Sequence, residues 1–88
     1  MIVKGSAAKR FRQSEKRRIR NKTVRSQVRT SAKKVLAAVE KNDEAGAEEA
    51  LRAYVRLVDS AAQKGVYHGN TAGRKKSRMA RKVSALQA

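Results

Sequence analysis

Ten cations within residues 9–29 carry the chemistry open to this chain: Lys9, Arg10, Arg12, Lys16, Arg17, Arg18, Arg20, Lys22, Arg25 and Arg29. Seven of them are Arg, whose planar fork can meet a phosphate with two parallel hydrogen bonds. Gln13, Ser14, Asn21, Thr23, Ser26 and Gln27 are interleaved and can hydrogen-bond sugars and phosphates. From Lys4 to Lys34 there are 13 Lys or Arg and one acid, Glu15, a local balance of +12. A segment this cationic repels itself and buries almost nothing, so the partner that suits it is a polyanion. A second run holds Arg74, Lys75, Lys76, Arg78, Arg81 and Lys82, and no acid follows residue 59.

Catalysis lacks its parts. Acid–base and metal chemistry need convergent Asp, Glu, His or Cys groups. Five of the seven acids fall within Glu40–Glu49, where they complement a helix dipole at a connector. His68 is the only histidine, so a multi-histidine metal site cannot form; its expected place is a turn or a phosphate contact. The absence of Cys removes disulfides, thiolate metal sites and cysteine nucleophiles, and fits a reducing compartment. No enzymatic activity, cofactor or metal is expected.

The net charge of +16 and a pI near 11.4 place the chain well past the threshold of about 9 used to read a nucleic-acid binder. The longest apolar run, Val35–Val39, is too short for a signal-peptide core or a membrane span, so a soluble chain in the cytoplasm is expected. Aromatic residues are few and far apart in sequence: Phe11, Tyr54 and Tyr67, with no Trp. Readout by stacked bases needs aromatic platforms. Phosphate and shape contacts are therefore expected instead.

The elements that must position these residues are all helical. Residues 1–5 read as an extended start, with Ser6 as a plausible N-cap and helix one over 6–40. Its second half has an apolar stripe at Val24, Val28, Ala32, Val35 and Val39, with Leu36 alongside. Upstream of Val24 that stripe vanishes, and the cations point to all sides. Asp43 is placed to cap helix two, 43–64, whose stripe is Ala47, Leu51, Tyr54, Val58 and Ala61; Gly65 is placed to end it. Asn70 or Thr71 would cap helix three, 71–86, with Ala72, Met79, Val83 and Leu86 on one face. The expected fold class is all-α, a single three-helix domain over 1–88. At about 1.5 Å per residue the first helix is roughly 50 Å long against about 30 Å for the second, so its N-terminal half must overhang the bundle. The small core predicts marginal stability, with the overhanging segment ordering only as a partner neutralises it.

Three blocks in order resemble the small-subunit ribosomal protein twenty family of bacteria. They are SAAKRFRQSEKRRIRN (Ser6–Asn21), RTSAKKVLAAVE (Arg29–Glu40) and KGVYHGNTAGRKKSRMARKV (Lys64–Val83). The resemblance implies a three-helix structural protein that binds small-subunit ribosomal RNA directly and early in assembly, among several RNA helices. It extends the expected RNA-contacting set beyond the ten arm cations, Gln13, Ser14 and Asn21. Lys33 and Lys34 join it, as do His68, Asn70, Thr71, Arg74, Lys75, Lys76, Ser77, Arg78 and Arg81. Gly69 and Gly73 stand where Lys and Ala are more usual in the family, which predicts a loosened start to helix three.

Two rival readings make different demands. A DNA-compacting protein would need a spare apolar face for self-association, and none is left over. A membrane-active cationic helix would need an apolar face opposite its charge, which residues 9–22 lack. The partner expected is small-subunit ribosomal RNA, within the ribosome, with no membrane and no homo-oligomer.

Overall fold

A computed structural model describes the backbone of residues 2–87 and the side chains of residues 7–86. Three helices account for nearly all of it: α1, Ile2–Glu40; α2, Glu44–Gln63; and α3, Gly69–Gln87. No strand occurs among the described residues. The fold is all-α with a long first helix, as the periodicity required.

α1 begins ahead of Ser6, so residues 2–5 are helical backbone where an extended start was expected, and Ser6 lies inside the helix instead of capping it. Met1 lies outside the described residues. The physical reason is that no proline interrupts the start, and Gly5 alone costs a helix only about 1 kcal/mol.

Both connectors are built from local chain chemistry. At the end of α1, Asn42 takes a left-handed φ of 57°. Its amide then donates to the Val39 carbonyl, and the Asp43 amide to that of Ala38. At the end of α2, Gly65 takes a φ of 77° and repeats the pattern: its amide donates to Ala62, and that of Val66 to Ala61. Each is a Schellman closure, which satisfies carbonyls that the helix leaves orphaned. Asp43 also starts the next helix, its carboxylate accepting from the Gly46 amide at 3.0 Å.

α1 and α2 pack antiparallel, and α3 lies mainly against α2. The core is Val24, Val28 and Val35 of α1, Ala47, Tyr54, Val58 and Ala61 of α2, and Ala72, Met79 and Val83 of α3. Ser31 is buried with them and fills the four–three–four spacing from Val24 to Val35, in the place the apolar periodicity gives to Ala32. Ala32 and Val39 are half-buried beside that line. Leu36 is 37% exposed, because it sits about 100° around α1 from fully buried Val35.

The molecule measures 66 × 21 × 13 Å, with a radius of gyration of 17.6 Å. A compact chain of this length would have a radius of about 12 Å. The excess is the overhang of α1.

Candidate nucleic-acid interface

None of residues 7–23 is buried. Lys9, Arg10, Gln13, Ser14, Arg12, Lys16, Arg17 and Lys22 all stand exposed on this arm, around every side of the cylinder. The two large apolar residues there, Phe11 and Ile19, are 66% and 59% exposed. Ahead of Arg20, the described residues of the arm make no hydrogen bond or ion pair to α2 or α3, as the missing stripe required. Arg18 is folded along the helix against Glu15 at 3.0 Å, which raises the guanidinium pKa through their hydrogen bond and opposite charges. Thr23 donates its hydroxyl to the Ile19 carbonyl, so that donor is already engaged within the helix.

Arg20 marks where the arm meets the bundle. Its guanidinium donates to the Lys64 carbonyl at 3.2 Å, at the C-terminal end of α2, and reaches the side chain of half-buried Asn21 at 3.4 Å. A cation at a helix C-terminus complements the orphan carbonyls and the helix dipole. Lys33 and Lys34 are exposed farther along α1.

On α3 the basic residues divide by role. Lys76 pairs with Asp59 of α2 at 2.7 Å and ties the two helices together. Lys75 sits over the Tyr67 ring, 5.1 Å from its centroid. Arg74 donates to the Asn70 carbonyl at 3.4 Å, one turn back. Ser77, Arg78, Arg81 and Lys82 are exposed, and Thr71 is half-buried.

His68, not Asn70 or Thr71, caps α3. α3 starts at Gly69, and the Asn70 amide donates to His68 Nδ1 at 3.1 Å. The His68 carbonyl accepts from the Ala72 amide, the first helical bond. His68 is therefore the N-cap. Histidine is not among the usual caps, but a ring nitrogen two residues before a bare amide can accept as an oxygen does.

Two grooves flank the buried line of α1. One is lined by Ser26, Gln27, Thr30, Ser31 and Lys34 of α1 and by Ala50, Ala53 and Leu57 of α2, and its lining surface is mainly apolar. The other brings Arg25 and Arg29 together with Lys75, Tyr54 and Tyr67 over a floor of Val28 and Ala32. The two tyrosines, far apart in sequence, thus share one cleft. Burial, and then the neighbouring Tyr67, push the Tyr54 phenol pKa up. No local sequence signal announces this meeting, because it depends on how α3 returns along α2.

No group of three or more His, Cys, Asp or Glu side chains is gathered as metal ligands among the described residues. Nor is any described helix long and apolar enough to cross a membrane.

The family model for ribosomal protein S20 matches residues 4–84. The chain belongs to the ribosomal protein S20 family. A relative from Syntrophus aciditrophicus (strain SB), named small ribosomal subunit protein bS20, is 51% identical over 85 residues, covering 97% of this chain and 96% of the relative. Proteins of the same name from Geobacter metallireducens and Halalkalibacterium halodurans are each 46% identical. They cover 92% and 94% of this chain, and 93% and 91% of their own lengths. The matched span of this S20 family member contains the exposed arm from Lys9, both connectors and the basic face of α3.

Proposed function

We propose that the chain is a structural, non-catalytic constituent of the small ribosomal subunit that binds small-subunit ribosomal RNA directly and supports its folding. The observation that carries this reading is the bare half of α1, a helix charged on every side with no protein against it. A groove binder on duplex DNA needs charge on one face only. Charge on all faces suits a helix inserted among several RNA helices, each offering phosphates from its own direction.

In this reading Lys9 to Lys22 neutralise phosphates of several RNA helices at once. Arg25, Arg29, Lys33 and Lys34 extend the contact along the bundle. Exposed Arg74, Ser77, Arg78 and Arg81 make a second clamp, and the bundle fixes its angle to the arm. Lys75 and Lys76 serve both the RNA and the packing of α3. His68, Asn70 and Thr71 shape the start of α3 against the RNA. The acid-rich corner at Glu40–Glu49 faces away from phosphate. The protein acts as a single copy in the cytoplasm, within the ribosome.

The chain has no cysteine, so single attachment points can be introduced cleanly. Iron chelates that generate hydroxyl radicals, fixed through Lys16→Cys, Arg78→Cys and Glu49→Cys, would be carried into assembled small subunits. Cleavage from positions 16 and 78 is expected at separate RNA segments, with little from position 49. Absence of RNA cleavage from 16 and 78, or equal cleavage from all three, would overturn the reading.

A further inference from the structure

Arg25, Arg29 and Lys75 line one cleft on the bundle. Arg25 and Arg29 are one turn apart on α1, and Lys75 comes from α3. No carboxylate lines the cleft. The ion pairs Arg18–Glu15 and Lys76–Asp59 lie elsewhere. Arg25 and Arg29 make no hydrogen bond or ion pair within the described protein. Folding therefore brings three cations together against their repulsion and supplies no counter-charge.

The surroundings sharpen the effect. The floor is apolar, which focuses the field of the three charges instead of dissipating it. Lys75 is held over the Tyr67 ring, so its ammonium is positioned before any ligand arrives. Two Arg forks and a Lys ammonium, with tyrosine hydroxyls as further donors, are the donor set for one phosphate group. The cleft volume of about 340 Å³ suits one phosphate with its sugar, at the small end of ligand sites.

We propose that this cleft grips a single backbone phosphate of the RNA, with Arg25, Arg29 and Lys75 converging on that one group. The proposal rests on the RNA-binding reading above and adds to it a built subsite at the joint of arm and bundle.

The count of phosphates distinguishes the two arrangements. Affinity of the full chain for folded small-subunit RNA would be measured across a salt series, for wild type and for R25Q/R29Q/K75Q. Three cations on one phosphate lower the slope of log affinity against log salt by about 0.7–0.9; three on separate phosphates lower it by about 2–3. Both tyrosines line the cleft and the chain has no Trp, so tyrosine emission reports on this site alone. Emission is expected to change on RNA binding in wild type and not in the variant. Inorganic phosphate, against chloride at equal ionic strength, should produce a weaker change that RNA displaces. None of the three belongs to the buried core. R25Q/R29Q, which leaves the Lys75–Tyr67 contact in place, should raise the melting temperature of the free protein by relieving repulsion, and adding K75Q should give back part of that gain.

A slope loss near three, or tyrosine emission indifferent to RNA, would overturn the subsite. So would a phosphate signal that RNA cannot displace, which would mark a site for the free ion. Failure of the parent reading looks different: wild type itself would show no preference for small-subunit RNA over duplex DNA.

Discussion

The Arg20 guanidinium donates to the Lys64 carbonyl at 3.2 Å, joining residues 44 apart in sequence where α1 leaves the bundle. The position follows from length. α2 has 20 residues, so run antiparallel from the Asn42 turn it reaches back to about Arg20 and stops. Everything before that point on α1 lies beyond the reach of α2. One hydrogen bond thus marks the boundary between the half of α1 that packs on protein and the half that does not.

Arg20→Ala should lower the stability of the free protein by about 0.5–1 kcal/mol, the net worth of one hydrogen bond. Urea unfolding followed by circular dichroism measures it. RNA affinity should fall less than for Arg17→Ala, because Arg20 is already engaged at the end of α2. Unchanged stability together with a large loss of RNA binding would assign Arg20 to the RNA instead.

His68→Ala should cost about 0.5–2 kcal/mol by leaving the Asn70 amide without its acceptor. His68→Asn keeps an acceptor at the cap and should restore most of that stability. Amide exchange in the first turn of α3 is the local readout. Equal losses for the two replacements would contradict the capping role.

Gly73 and Gly46 are both helical glycines, and they should respond differently to alanine. A Cβ at Gly73 meets nothing within 4 Å, so Gly73→Ala should stabilise by about 1 kcal/mol through propensity alone. At Gly46 the new methyl would press on the Asp43 carboxylate that caps α2. Gly46→Ala should therefore gain less than Gly73→Ala, and on a background of Asp43→Ala the two should gain alike. Thermal melts of the four variants decide it.

Tyr54 gives a pH dependence with a definite sign. Its folded pKa lies above the ordinary value of 10.0 because burial disfavours the phenolate. Its contribution to stability is therefore complete below about pH 10 and is lost as pH rises through the folded pKa. Tyr54→Phe should flatten the alkaline fall in stability relative to wild type and leave the neutral range nearly unchanged. Parallel alkaline curves for the two proteins would contradict this.

Legibility in the sequence followed the range of the interaction that decides each feature. Val24, Val28 and Val35 announced the packed half of α1, and the loss of their pattern upstream announced the bare arm, because burial imprints its period on the chain. Asp43 and Gly65 were readable as cap and stop because each acts on amides within a few residues. The start of α3 was not, since His68 caps with a ring nitrogen and Gly69 tolerates the first helical position. Likewise, Ser31 is a polar residue in an apolar line and carried no signal of its burial. The arm cations were readable singly. The meeting of Arg25 and Arg29 with Lys75, Tyr54 and Tyr67 was not, because it exists only once three helices have packed.

The most direct test of the account is binding of the protein to folded small-subunit ribosomal RNA against duplex DNA of equal length, from 50 to 200 mM salt. Helicity would be followed by circular dichroism in the same samples. The account predicts preference for the RNA throughout. With about 6–10 phosphate contacts, affinity should fall roughly 10³–10⁵-fold over that range. The helical arm of the free protein, cationic on every side with one acid, should fray in solution, so helicity should rise on binding as it is neutralised. Equal affinity for the two polymers, or an RNA affinity indifferent to salt, would contradict it.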